Sequence, residues 1–244
     1  MSMESLRLDG SGQNSRASPI SVAYRDGKQC PSLWEILAQR PALDSGLHDL
    51  MATLTSMSPQ SLQHLIRAFD WTQILSLVDA GGSLGYAALA IASRFPHIQC
   101  TVQDTKEVIG MAPQSDRVSF IEHDLFQEQS LQADTYLYRS IFHNWSDAEV
   151  KRIIAALSSA LQDGTRLMIM DVVVPPANTM PMNVEKETRL RDFQMFALLA
   201  GKERSLDEFQ GLVGSVGLPF KFEGIYCPDG SFMNLMTWVY RKGS

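Results

Sequence analysis

The chain has little of what would set it apart from an ordinary globular domain. Only three cysteines occur in 244 residues, Cys30, Cys100 and Cys227. Their number is odd and no CxxC pair is present, which argues against a disulfide framework and against a zinc site of that spacing. No apolar run approaches the roughly 18 residues of a membrane span, and no basic N-terminal region leads into an apolar one. Lys and Arg never cluster: 21 of them stand against 27 Asp and Glu, for a formal charge of −6 and an isoelectric point near 5.4. Such a surface is not built to neutralise phosphates, so no nucleic acid is expected as a partner. Internal repeats and low-complexity tracts are missing. The expected setting is a reducing cytoplasm, with no membrane partner and no bound metal.

What is present suits one generous core: 45% of the residues are hydrophobic and 20% charged. Residues 1–18, rich in Ser, Gly, Asn and Asp, predict little structure. Apolar positions then recur at spacings of three and four, through Leu33, Ile36 and Leu37, then Leu47, Leu50, Met51 and Leu54, then Leu62, Leu65, Ile66 and Phe69. These predict amphipathic helices, the last started by Ser58-Pro59 as N-cap and first helical residue. The reading is therefore a leader and short helical segment over 1–70 and a second unit over 71–244.

From residue 71 the texture becomes short apolar runs alternating with helical patterns, the signature of βαβ units. Strands are predicted at 74–79, 99–104, 118–123, 133–140 and 166–174, and helices at 86–94 and 146–161, the latter opened by the capping box Ser146-Asp147-Ala148-Glu149. Two further runs, 220–227 and 232–241, flank Pro228-Asp229-Gly230-Ser231 and read as a hairpin. A nicotinamide dehydrogenase would instead carry a second βαβαβ half. The layout resembles the class I methyltransferase fold: α/β, Rossmann-like, with a mostly parallel seven-stranded sheet ending in an antiparallel hairpin.

The first strand runs into Asp79-Ala80-Gly81-Gly82-Ser83-Leu84-Gly85. Glycines after a buried strand let the backbone approach a ligand and leave amides free at a helix N-terminus. Asp104 follows about 20 residues on, the distance at which a carboxylate receives ribose hydroxyls. Asp79 is placed to order the turn or to meet an ammonium group. No Lys-Ser or Lys-Thr follows, which disfavours a nucleotide triphosphate. The turn alone also fits any α/β domain, and both readings stay open on it.

Further motifs follow in order: His123-Asp124-Leu125-Phe126, Phe142-His143-Asn144-Trp145, the segment from Asp171 to Pro175, and Gly201-Lys202-Glu203-Arg204-Ser205. With the turn, this series resembles the plant and fungal S-adenosylmethionine-dependent O-methyltransferases, the group of the caffeic acid and flavonoid enzymes. Their pattern is Val-Asp-x-Gly-Gly-Gly-x-Gly, an acid, Gly-Asp-Met-Phe, then Leu-His-Asp-Trp. The resemblance implies S-adenosylmethionine as cofactor, bound by Asp79, Gly81, Gly82, Ser83, Asp104, Asp124, Leu125, Phe126 and Arg139. Asp124 and Phe126 would form the adenine pocket, and Arg139 would lie at the methionine end. It implies His143 as general base, with Asp171 and Glu203 holding its imidazole. A phenol with pKa near 10 needs such a base, and a histidine near 6.5 can serve at neutral pH. Trp145, Asp192, Met195 and Phe196 would meet an aromatic or polyketide-like substrate.

Plain structural readings stand beside these. A lone histidine at a strand end often caps the next helix, strand-end acids often cap loops, and a Met and aromatic stripe is often core. His48, His64, His97 and His123 are read as surface or structural. Ser83 stands where the family pattern has glycine, and Asn144 where it has aspartate. The helices before residue 70 match only the last of a longer N-terminal dimerisation domain. The expectation is an O-methyltransferase, paired as a homodimer or with a related chain. The alternatives are a methyltransferase-fold pericyclase, cyclase or dehydratase, in which Arg191 and Asp192 also do acid and base work, and a non-catalytic partner subunit.

Overall fold

The computed structural model describes residues 15–27 and 29–243. Residues 1–14 of the expected unstructured leader lie outside that range. The rest of it is ordered: Ser15–Ala17 form a 3-10 turn, and Ser18 caps helix α1 (Pro19–Ala23), its hydroxyl accepting the Ser21 amide at 3.2 Å. Serine followed by proline is a helix start whatever the composition around it.

Helices α2 (Leu33–Ala38), α3 (Pro41–Ser56) and α4 (Leu62–Ala68) follow. Ser58-Pro59 does not open the last of them. Ser58–Gln60 form a separate 3-10 turn, and Ser61 caps α4. The reason lies far along the chain. The carbonyl of Pro59 accepts the Phe232 amide at 2.9 Å and that of Gln60 accepts Arg139 at 3.0 Å, so neither serves a helix begun at residue 59.

The sheet is that expected: seven strands in the order β3-β2-β1-β4-β5-β7-β6. They are β1 (Ser76–Ala80), β2 (Gln99–Asp104), β3 (Val118–Glu122), β4 (Thr135–Arg139), β5 (Arg166–Asp171), β6 (Phe220–Tyr226) and β7 (Asn234–Tyr240). All pairings are parallel except those of β7, which runs antiparallel to both β5 and β6. Between them come α5 (Tyr86–Arg94), α6 (Lys106–Ile109), α7 (Asp147–Ala155), α8 (Met182–Leu199) and α9 (Leu206–Ser215). Helix α7 carries the expected capping box but ends at Ala155 rather than 161. The Ala156 carbonyl turns aside to accept the Gln129 amide at 2.8 Å, which closes the helix early.

The central strands are buried on both faces, as parallel strands covered by helices must be. Successive side chains of β5 go to opposite cores. Met168 and Met170 join Leu77, Trp71, Leu65 and Ile91 on one side, while Leu167 and Ile169 join Val78, Ile153, Phe209 and Trp238 on the other. Helix α4 is thus part of the first core. Helix α3 has no fully buried residue. Among the described residues no helix is long and apolar enough to cross a membrane.

Candidate functional site

Strand order reverses beside β1, which has β2 on one side and β4 on the other. In an open α/β sheet the crevice at the carboxyl ends of such strands is where ligands bind. The chain places Asp79, Asp104, Arg139 and Asp171 at or near the ends of β1, β2, β4 and β5.

Asp79 orders the turn. It is buried, and its Oδ2 accepts the Ala88 amide at 3.2 Å, so a negative charge sits in the first turn of α5. Burial pushes its carboxyl up to about 6, against the Ala88 bond and the charge of Arg139. The amides of the turn are not free as expected. Those of Gly81 and Gly82 donate to the Gln103 carbonyl at 2.7 and 3.3 Å, and that of Ser83 to Asp104 Oδ2 at 2.9 Å. Amides withdrawn from water take the nearest acceptor, and β2 supplies it. Asp104 Oδ1 accepts the Thr105 amide at 2.8 Å, which fixes the carboxylate beside the turn. Burial raises its carboxyl, an effect these bonds and His48 partly offset.

His48, read from its helix as structural, belongs to this cluster. Its Nδ1 lies 3.3 Å from Ser83 Oγ, and its side chain is only 15% exposed.

The second half of the site is the turn after β4. Its Ile141 packs on Gly81, where a Cβ would come within 2.6 Å of Ile141 Cδ1, so the two turns touch. His143 follows. Its Nδ1 is 3.1 Å from Glu203 Oε1 and 3.7 Å from Asp171 Oδ1, and both acids are buried. A nitrogen facing a carboxylate must carry a proton, which assigns Nδ1–H and leaves Nε2 the basic nitrogen. Nε2 has no partner among the described residues. Burial lowers the imidazole's pKa, but the charge of Asp171 and the bond to Glu203 outweigh it and leave His143 above its ordinary range. Burial likewise pushes Asp171 up to about 7, against the pull of His143. Asp171 Oδ2 also accepts the Phe142 amide at 3.2 Å, so one carboxylate both holds the turn and faces the imidazole.

Glu203 is brought to His143 by a run of backbone contacts. Ala200 ends α8 with φ +53, Gly201 passes against residue 143, and the Lys202 amide donates to the His143 carbonyl at 3.1 Å. A Cβ on Gly201 would fall on that carbonyl oxygen. Gly201→Ala is therefore expected to cost roughly 1–3 kcal/mol in urea unfolding. Activity should fall by about 10²-fold, because both His143 and Glu203 shift. Wild-type activity in that variant would overturn this packing account.

The sequence reading did not single out Arg204. Fully buried, it donates through Nη1 to the Phe142 carbonyl at 2.7 Å and through Nη2 to the Trp145 carbonyl at 2.7 Å. It also meets Asp147 Oδ1, at 3.0 Å through Nε and 2.8 Å through Nη2. It thus clamps both sides of His143. Its place between the motif residues Glu203 and Ser205 was the one available signal.

Asp124 is exposed and its Oδ1 accepts the Phe126 amide at 3.0 Å. Leu125 packs into the second core. The Phe126 ring meets Trp145 edge-on at 4.9 Å and carries the Arg152 guanidinium at 4.8 Å. Asp192 Oδ1 accepts the Glu203 amide at 2.9 Å, which makes it a support of the histidine's partner. Met195 and Phe196 are half-buried on α8, and Phe193 is exposed.

Eight buried side-chain atoms have no hydrogen-bond partner among the described residues, and five belong to residues named here or beside them: His48, Arg139, Asp171, Arg191 and Glu203. Unpaired buried polar groups are costly, and those of Asp171 and Glu203 belong to the two carboxylates beside His143.

The chain matches the model of the O-methyltransferase domain over residues 20–219. It is 41% identical over 248 residues to the O-methyltransferase FrzF of a Cladobotryum species, covering 97% of this chain and 58% of that protein. It is 39% identical over 242 residues to the 6-hydroxytryprostatin B O-methyltransferase of Aspergillus fumigatus, covering 97% and 70%. The chain thus spans well under the full length of these relatives. Among solved structures, human N-acetylserotonin methyltransferase in complex with SAM matches with a TM-score of 0.78 at 18% identity, over 98% of this chain and 66% of that one. Mitomycin 7-O-methyltransferase MmcR matches at 0.79 and 20%, over 97% and 67%. These likenesses give the fold, that of the class I methyltransferases.

Proposed function

The chain belongs to the O-methyltransferase domain family, and from that premise we propose that it transfers a methyl group from S-adenosylmethionine to a phenolic or enolic hydroxyl of a small secondary metabolite. The observation that carries the proposal is His143, with Nδ1 held by buried Glu203 at 3.1 Å and Nε2 left unpartnered.

The residues present fit the cofactor. Asp104 is fixed by two backbone amides at the turn, as a ribose acceptor should be, and Arg139 keeps a buried Nε without a partner. Gly81, Gly82 and Ser83 would lie beneath the nucleoside, and Leu125 and Phe126 beside its base. When bound, S-adenosylmethionine supplies an electrophilic sulfonium methyl. The chain's own task is then modest. His143 Nε2 takes the hydroxyl proton as the oxygen attacks, and Glu203 and Asp171 stabilise the imidazolium that forms. Trp145, Met195 and Phe196 orient the acceptor, since effective orientation of two reactants supplies much of such a rate. The name of one relative, the 6-hydroxytryprostatin B O-methyltransferase, supports a hydroxylated natural product as acceptor. Exposed Leu43 and Leu50 on α3, Met57 at its C-cap, and Leu190 and Phe193 on α8 support a protein partner, a second copy or a related chain.

The test is calorimetry with S-adenosylmethionine and S-adenosylhomocysteine, followed by a panel of phenols. Binding, with methylated product and S-adenosylhomocysteine formed in equal amounts, is expected. Product without S-adenosylhomocysteine would favour the cyclase or dehydratase reading instead. No turnover with cofactor bound would favour a partner subunit.

A pH dependence follows. Because His143 must be neutral to act and its pKa is raised, activity should climb with pH along a limb centred above roughly 6.5. Asp171→Asn removes the charge that raises it and should move the limb to lower pH. For folding, the raised imidazole stabilises below its unfolded pKa and loses that contribution as pH rises through the folded value. A limb that stays in place in Asp171→Asn would refute the assignment.

A further inference from the structure

Helix α3 contributes one residue to the edge described above, and nothing in the proposed reaction uses it. His48 Nδ1 lies 3.3 Å from Ser83 Oγ, and the amide of the same serine donates to Asp104 Oδ2 at 2.9 Å. A helix, a turn and a strand end thus meet through one serine. Ser83 holds φ +54, in the left-handed region, which is strained for a residue with a Cβ. The hydroxyl's contact with His48 is what the side chain gives in return.

The other nitrogen, Nε2, is buried without a hydrogen-bond partner, and Asp44 Oδ2 stands 3.8 Å away, beyond hydrogen-bond reach. The helix does not explain this arrangement, because none of its residues is fully buried. The ring also lies close enough to Asp104, a carboxylate placed for vicinal hydroxyls, for their charges to interact, and what its enclosed Nε2 lacks is a hydroxyl or amide to pair with.

We infer that His48 is a binding residue of the nucleoside subsite: with Ser83 it holds α3 across the glycine-rich turn, and its Nε2 pairs with a ribose hydroxyl brought there by Asp104. The inference rests on the cofactor reading above. It gives a binding role to the helical segment before the sheet and a reason for serine at residue 83.

The experiment is calorimetric titration of S-adenosylhomocysteine into wild type, His48→Ala, Ser83→Gly and the double variant, with circular dichroism confirming the fold. His48→Ala should weaken binding about tenfold, the worth of one hydrogen bond near 1.4 kcal/mol. Ser83→Gly should weaken it less, and the double variant should bind no more weakly than His48→Ala alone, since the serine acts through the histidine. The penalty for removing a ribose hydroxyl, read with the 2′-deoxy and 3′-deoxy analogues, should shrink for one of them in His48→Ala. Should that variant unfold, His48→Leu carries the same comparison. Wild-type binding with unchanged affinity in His48→Ala, or tighter binding in Ser83→Gly, overturns this inference alone. Wild type that fails to bind at all overturns the cofactor reading with it.

Discussion

His143→Gln is expected to lower kcat for methyl transfer about 10²–10⁴-fold, the range that general base catalysis contributes, while S-adenosylhomocysteine binds as before. Glutamine can still donate an N–H toward Glu203 Oε1, now 3.1 Å from the histidine, so the buried acid keeps a partner and the fold is preserved. What is lost is the basic nitrogen proposed to take the acceptor's proton. A phenol with pKa near 10 is then ionised only in small part at neutral pH, and the residual rate should grow as pH is raised toward that value. Steady-state rates with product analysis across pH check both points. Retention of more than a tenth of wild-type kcat would remove His143 as the base. Unchanged pH dependence would point to a different residue in that role.

The second large effect is expected at Arg204→Met, and it reaches the same chemistry through packing. Removing this side chain takes the guanidinium donors from the Phe142 and Trp145 carbonyls, of which the first keeps only the Trp145 amide at 3.2 Å, and leaves Asp147 without its buried partner. Breaking a buried pair costs roughly 3–5 kcal/mol. Since Asp147 is 36% exposed, solvent screens part of its loss and the lower end is expected, about 3 kcal/mol. Urea denaturation measures it. The clamp spans both sides of His143, so kcat should fall by more than the loss of folded protein explains. Arg204→Lys separates charge from shape. It restores the cation, but an ammonium cannot serve three acceptors in one plane, so most of the deficit should remain. Full recovery in the lysine variant would mean that charge alone is needed there.

These two residues show what was legible in the chain and what was not. His143 could be read because its chemistry and its motif neighbours agree. Asp171 and Glu203 were read beside it from the resemblance, and the fold brings them to the same nitrogen from residues 28 and 60 positions away. Arg204 sits beside Glu203 in the sequence, yet an arginine next to a lysine and a glutamate reads as a solvated charge. Only the backbone of residues 142–147, folded around it, makes it a clamp. His48 was hidden for the opposite reason. Its helical spacing is real, but periodicity says which face a residue is on, not which turn of another element lies against that face.

The sequence by itself determined the alternation of strands and helices, the hairpin at the end of the sheet, and the glycine turn with its acid. Each follows from local spacing, from caps and from burial on two faces. The tertiary structure decided where carbonyls went. Pro59 and Gln60 gave theirs to Phe232 and Arg139 instead of a helix, and Ala156 gave its own to Gln129. It also decided that the turn's amides would be spent on β2 and that His48 would close over Ser83. A buried polar group is satisfied by whatever the fold brings near, and that neighbour is not written at any fixed distance along the chain.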